Sequence, residues 1–235
     1  MSDFQIISCA DWGAAPPKQK IVLVGRPVRV IDHGTDGHAP PGSDPRQSGM
    51  AYARALQHSH FGRGWIDSGH NFLVTRDGVI LEGRHGSLAA IKAGRMVESA
   101  HCPGQNDQPG IEHEHFGSDE GLTDVQKQAS IWLHALICRS TGIRPTDFFP
   151  HKQFFSTDCP TAHIEQWLPE LRLRTAAALT AEPAKKQWPV PLPSWFWGWA
   201  KWKLNGGVGA RPADAPLPIP GWAWKRLSAL VAGRH

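Results

Sequence analysis

Cysteine is scarce. The chain has four in 235 residues, Cys9, Cys102, Cys138 and Cys159, with no CxxC pair and no compact spacing, which excludes a disulfide framework as the basis of the fold. Nowhere is there an uninterrupted apolar run long enough to span a bilayer. The opening Met1-Ser2-Asp3-Phe4-Gln5 lacks the basic stretch and apolar core of a secretory signal, so synthesis in a cytoplasm is expected. Basic residues form no continuous stripe, which argues against nucleic acid. A net charge of +4 and a pI near 9 suit a polyanionic partner without choosing one. The length admits one domain of roughly 150 to 180 residues with a full core, plus an appendage.

Pattern supplies the elements. Val28 to Ile31 reads as a core strand that ends at His33. Asp44 and Pro45 make an N-cap and first-turn pair for a helix with an apolar stripe reaching Gly62-Arg63-Gly64. His70 to Val74 and Val79 to Leu81 flank Arg76-Asp77-Gly78 as a hairpin. From Ile111 to Phe116 an extended chain places Glu112 and Glu114 on one face and Ile111, His113 and His115 on the other. Thr123-Asp124-Val125-Gln126 is a capping box for a helix running to Gly142. A last helix is expected from Thr161 to about Leu179, kinked or broken at Pro169.

The chemistry centres on Pro150-His151 to Cys159-Pro160. An imidazole and a thiolate on one Pro-bounded loop reach a single borderline-soft ion, and one more His makes a three-ligand zinc site with an open fourth position. His33, at a strand end, is the economical third ligand, and His38 is its alternative. Such an ion polarises an amide carbonyl and lowers the pKa of a coordinated water to about 7.

His33-Gly34-Thr35, Gly69-His70-Asn71-Phe72-Leu73-Val74-Thr75-Arg76-Asp77-Gly78, Gly110-Ile111-Glu112-His113-Glu114 and His151 with Cys159 resemble the type-2 N-acetylmuramoyl-L-alanine amidases. That family includes peptidoglycan recognition proteins and phage amidase endolysins. Ile6 to Ala14 resembles the start of recognition-protein domains, so the likeness spans about residues 4 to 175. The resemblance implies an α/β fold with a mixed central β-sheet flanked by helices. It also implies hydrolysis of the amide between N-acetylmuramic acid and L-alanine, with Zn2+ on His33, His151 and Cys159.

By the same resemblance Glu112 matches a glutamate that cytosolic amidases use as general base, with Glu114 the alternative. His70 stands where phage amidases carry Tyr and cytosolic anhydromuropeptide amidases carry His, so it donates to an oxyanion or assists proton transfer. Thr157 occupies a place where active relatives have Lys or Thr. His101 and Asn106 belong to a segment that lines the family's peptide groove, which implies substrate contact. Peptidoglycan is the expected partner and a monomer the expected state. The opposing reading is a non-catalytic peptidoglycan-binding module, but members that only bind usually lose the Cys ligand, which is present here.

After Ala181 the composition changes. Seven of the eleven tryptophans lie between Trp188 and Trp224, and Pro189 to Trp197 recurs as Pro216 to Trp224 at an offset of 27 residues. We expect an amidase domain over 1–180, a linker over 181–188 and a basic Pro/Trp-rich tail over 189–235. Its indoles and cations would contact glycan, anionic wall polymer or membrane. The arrangement suits a phage or prophage endolysin released onto the wall by a separate permeabilising protein.

Overall fold

The structure is a computed structural model and describes residues 4–115 and 121–180. The Pro/Trp-rich segment, with its repeat and linker, lies outside the described residues. In chain order the elements are β1 (Ile6–Ile7), α1 (Cys9–Trp12), β2 (Leu23–Val24), β3 (Val30–Gly34), α2 (Pro45–Gly62), β4 (Phe72–Val74), β5 (Ile80–Glu82), α3 (Ser87–Lys92), β6 (Met96–Val97), β7 (Gly110–His113), α4 (Asp124–Thr141), β8 (Phe148–Pro150) and α5 (Ala162–Thr180). Six strands form one sheet in the order β1-β5-β4-β7-β3-β8, and β2 pairs with β6 in a separate ribbon. Within the large sheet β4 and β5 are antiparallel and every other pair is parallel. This is the expected mixed sheet flanked by helices.

The starts of α2 and α4 follow from local chemistry. The Asp44 carboxylate accepts from Arg46 N and Gln47 N, and Pro45 opens the helix. Thr123 Oγ1 accepts from Gln126 N at 3.2 Å, a cap that contributes about 1 kcal/mol. The other half of the expected capping box does not form. The Gln126 amide instead donates to Val74 O and Glu114 O, tying α4 to the ends of β4 and β7. Helix α5 runs through Pro169 as one element. Buried Trp167, Leu168 and Leu171 flank the proline, and packing of those side chains, about 1.5 to 3 kcal/mol each, outweighs the one backbone bond that proline removes. At the hairpin the positive φ falls on Gly78 alone, at +76°.

Register decides what each face carries. Ile7 pairs with Leu81, Leu81 with Leu73, Leu73 with Glu112, and Glu112 with His33. One cross-strand row therefore begins apolar and ends in a carboxylate and an imidazole. Its apolar half packs with Cys9, Trp12, Tyr52 and Ala53 of α1 and α2. The opposite face, with Val30, Phe72, Val74, Ile80, Ile111 and Phe148, joins residues of α3, α4 and α5 in the larger core.

Candidate metal centre and cleft

β3 delivers His33, 2% exposed, at the edge of a cleft of about 480 Å³. Its neighbour β8 ends at Pro150, and His151 opens the next turn. Proline is tolerated there because β8 is an edge strand. The loop then returns to its start, since Lys152 N donates to Cys159 O at 2.9 Å. One donor atom each from His33, His151 and Cys159 consequently lie within 4.8 Å of one another. His33 Nδ1 stands 3.6 Å from Cys159 Sγ.

The donor set fits a metal ion on two observations. Two imidazoles and a sulfur are the ligands that zinc-type ions take. Both ring nitrogens of His151 are buried with no hydrogen-bond partner among the described residues, a cost of about 1 to 3 kcal/mol for each orphaned group, and a coordinated cation would remove it at one of the two. Without a cation, burial holds the His33 and His151 imidazoles below their ordinary range and pushes the Cys159 thiol up to about 12, the Glu112 charge adding to the thiol's shift. The alternative ligand, His38, lies elsewhere: its Nδ1 is 3.4 Å from Glu114 Oε1.

The two strand carboxylates have different jobs. Glu112 sits beside His33 and lines the cleft. Its side chain keeps 16% of its surface, and burial pushes its carboxyl up to about 8, with the Arg63 cation opposing. Glu114 is 4% exposed, and its two oxygens accept from Ala39 N at 2.8 Å and Arg76 N at 2.9 Å. It ties two loops.

His70 stands behind Glu112 rather than on the cleft wall. It is 2% exposed, its Nδ1 is 3.8 Å from Glu112 Oε1, and burial holds its pKa well below the usual value. The ring lies against Gly83, where a Cβ would come within 2.5 Å of His70 Cδ2. The Thr157 hydroxyl oxygen accepts from Cys159 N at 3.2 Å, which leaves its own hydrogen able to donate. His101 is buried, with Nδ1 2.9 Å from His33 Nε2 and Nε2 2.9 Å from Gln108 O. Asn106 closes the turn of its own loop: Oδ1 accepts from Cys102 N, and its carbonyl accepts from Ser99 N.

Sequence reasoning passed over Tyr52, Ser59, His60, Arg63 and Trp65, all of which line the cleft. Tyr52, Ser59 and Arg63 follow helical spacing along α2 and its C-cap, and that periodicity was the available signal. The Arg63 guanidinium carbon lies 5.6 Å from the centroid of the Trp65 ring. Behind His33, its carbonyl meets His113 Nδ1 at 3.2 Å, and His113 Nε2 meets Ser130 Oγ at 2.8 Å.

Comparison with known proteins agrees with this fold. Peptidoglycan-recognition protein SC2 of Drosophila melanogaster is 27% identical over 162 residues, 68% of this chain and 82% of that protein. The structure of peptidoglycan recognition protein-LE, solved in complex with tracheal cytotoxin, a monomeric diaminopimelic acid-type peptidoglycan, is 27% identical with a TM-score of 0.57, covering 69% of this chain and 92% of that one. The endolysin amidase LysCS of Clostridium intestinale URNW shares the fold, with a TM-score of 0.54 at 22% identity over 73% of this chain and 98% of its own. The family model described as N-acetylmuramoyl-L-alanine amidase, Amidase_2, matches residues 25–162, and the chain belongs to that family.

Proposed function

We propose that this protein is a zinc-dependent N-acetylmuramoyl-L-alanine amidase, acting on peptidoglycan in the manner of a phage or prophage endolysin. The observation that carries the reading is the convergence of His33, His151 and Cys159 within 4.8 Å beside the cleft carboxyl of Glu112. A bound zinc ion would supply the positive charge that polarises the scissile carbonyl and acidifies water. The relatives' complexes with peptidoglycan fragments support the substrate class.

The chain's own groups then have distinct tasks. Glu112 takes a proton from the attacking water and returns it to the leaving amine, and in the metal-free chain burial raises its carboxyl to about 8. His70, with Nδ1 3.8 Å from Glu112 Oε1 and no hydrogen-bond partner on that nitrogen among the described residues, is the group nearest to assist that proton transfer. The Thr157 hydroxyl donates to the oxygen that gains charge as the amide carbon becomes tetrahedral, a weaker donor than an ammonium. The Arg63 and Trp65 pair offers a cation and an apolar face at the cleft wall, suited to an acidic glycopeptide.

The test is metal analysis of the purified protein together with amine release from purified peptidoglycan, with and without chelator. We expect one zinc per chain, and release that chelator abolishes and zinc restores. Wall binding without amine release from the zinc-loaded chain would refute the enzyme reading in favour of a binding module.

A further inference from the structure

We infer that His101 is a positioning residue that fixes the tautomer of His33, so that the Nδ1 lone pair of His33 faces the place where His151 and Cys159 converge. The inference deepens the zinc reading and rests on it for the ion, though not for the tautomer.

Gln108 O can only accept, so His101 Nε2, 2.9 Å away, carries the proton of that bond. A neutral imidazole has one N–H. His101 Nδ1 is therefore the acceptor, and His33 Nε2, 2.9 Å from it, must be the donor. The single proton of His33 is then spent, and its Nδ1, 3.6 Å from Cys159 Sγ, is left with a lone pair. Reversal of the His33–His101 bond would place an N–H where a ligand atom is required.

The relay is held rigidly. The two rings meet edge to face at 84° with centroids 4.8 Å apart. A Cβ at Gly110 would lie 2.4 Å from His101 Cγ, so only glycine leaves room for the imidazole. Gln108 is itself anchored at the start of the β3 segment, its side-chain Oε1 accepting from Val28 N at 2.8 Å and Arg29 N at 3.2 Å. Since both nitrogens of His101 are engaged and the residue is 7% exposed, it has neither donor nor acceptor to offer a substrate. Its ring lines the cleft, so the substrate contact expected from the resemblance would run through the ring rather than through a hydrogen bond. Partners of this kind fix a ligand's orientation and raise its basicity, and their loss typically weakens metal binding 10- to 100-fold.

The test has two arms on the full chain. In the first, the metal-stripped protein labelled with 15N-histidine is read by long-range 1H–15N correlation, with His33 assigned from a His33→Asn sample. We expect a protonated Nε2 and an unprotonated Nδ1 on His33; a protonated Nδ1, or a mixture of tautomers, overturns the inference whether or not the chain binds zinc. In the second, zinc affinity is measured by competition with a chelating dye. His101→Leu should bind about 10- to 100-fold more weakly. His101→Asn, whose Oδ1 can accept where Nδ1 did, should recover most of that loss. Equal affinity in wild type and His101→Leu overturns the inference, and so does His101→Asn binding as weakly as His101→Leu. Should His101→Leu fail to fold, the wild-type spectrum and the Asn variant still decide. Wild type that binds no zinc defeats the metal reading instead, and the tautomer spectrum alone then decides the role of His101.

Discussion

Replacing Glu112 by Gln in the metal-stripped protein should change how stability depends on pH. An ordinary carboxyl titrates near 4.5, and burial pushes Glu112 to about 8. Between those values the folded chain keeps a proton that the unfolded chain has lost, so the unfolded state binds fewer protons and stability falls as pH rises. The contribution is complete below 4.5, declines through the interval and is gone above 8. At about 1.36 kcal/mol per pH unit the ceiling is roughly 5 kcal/mol. The side chain retains 16% of its surface in the cleft, so water relaxes around the charge and about 2 to 3 kcal/mol is the realistic span. The assay is urea unfolding of wild type and Glu112→Gln at pH 5, 7 and 9 in chelator, comparing the gap between the two. We expect the variant to gain on wild type by about 2 to 3 kcal/mol from pH 5 to pH 9. A gap that stays constant across that range would refute the buried-carboxyl reasoning.

Glu112→Gln should also retain zinc while losing about 10²- to 10⁴-fold in amine release, and unchanged turnover would remove Glu112 from the mechanism. Glu114→Gln should do the reverse, keeping turnover while lowering unfolding stability by about 1 to 3 kcal/mol, because it weakens the acceptors that serve Ala39 and Arg76. Cys159→Ala should lose bound zinc by metal analysis without unfolding the chain, since the thiol it removes contributes little packing. Gly83→Ala should cost about 1 to 3 kcal/mol in thermal unfolding, since the new Cβ meets His70 Cδ2 at 2.5 Å and His70 O at 2.6 Å, and should lower amine release by displacing the histidine behind Glu112. A chain cut after residue 180 should keep zinc and soluble-fragment hydrolysis but bind intact wall less tightly. Undiminished wall binding would dispose of a targeting role for the tail.

Local chemistry made the longer elements legible. Asp44-Pro45 and Thr123 cap α2 and α4 where the sequence reading puts them, and Gly78 turns the hairpin. What failed to show were contacts closed by distant chain. The strands β1, β2 and β6 have two residues each, too few for any periodicity, and exist because a neighbour pairs with them. Gln126 has the right type and spacing to complete a capping box, yet two carbonyls on other strands compete for its amide and win. Pro169 signals a break that packing of its flanking apolar residues overrides.

The site shows the same division more sharply. Alternation along β7 put Glu112 and Glu114 on one face and could not separate them. What separates them is two residues of strand register and the backbone donors of Ala39 and Arg76, which come from loops 75 and 38 positions away. His101 likewise looks like a groove residue until His33, 68 positions earlier, is brought to its Nδ1. Residue type sets which chemistry a side chain can perform, and spacing sets which face it shares. The role is assigned last, by whichever distant group consumes its hydrogen-bonding capacity: Glu114 and His101 have theirs taken by the protein, whereas Glu112 and the two nitrogens of His151 do not. That criterion favours Glu112 and His151, among the described residues, for the chemistry proposed above.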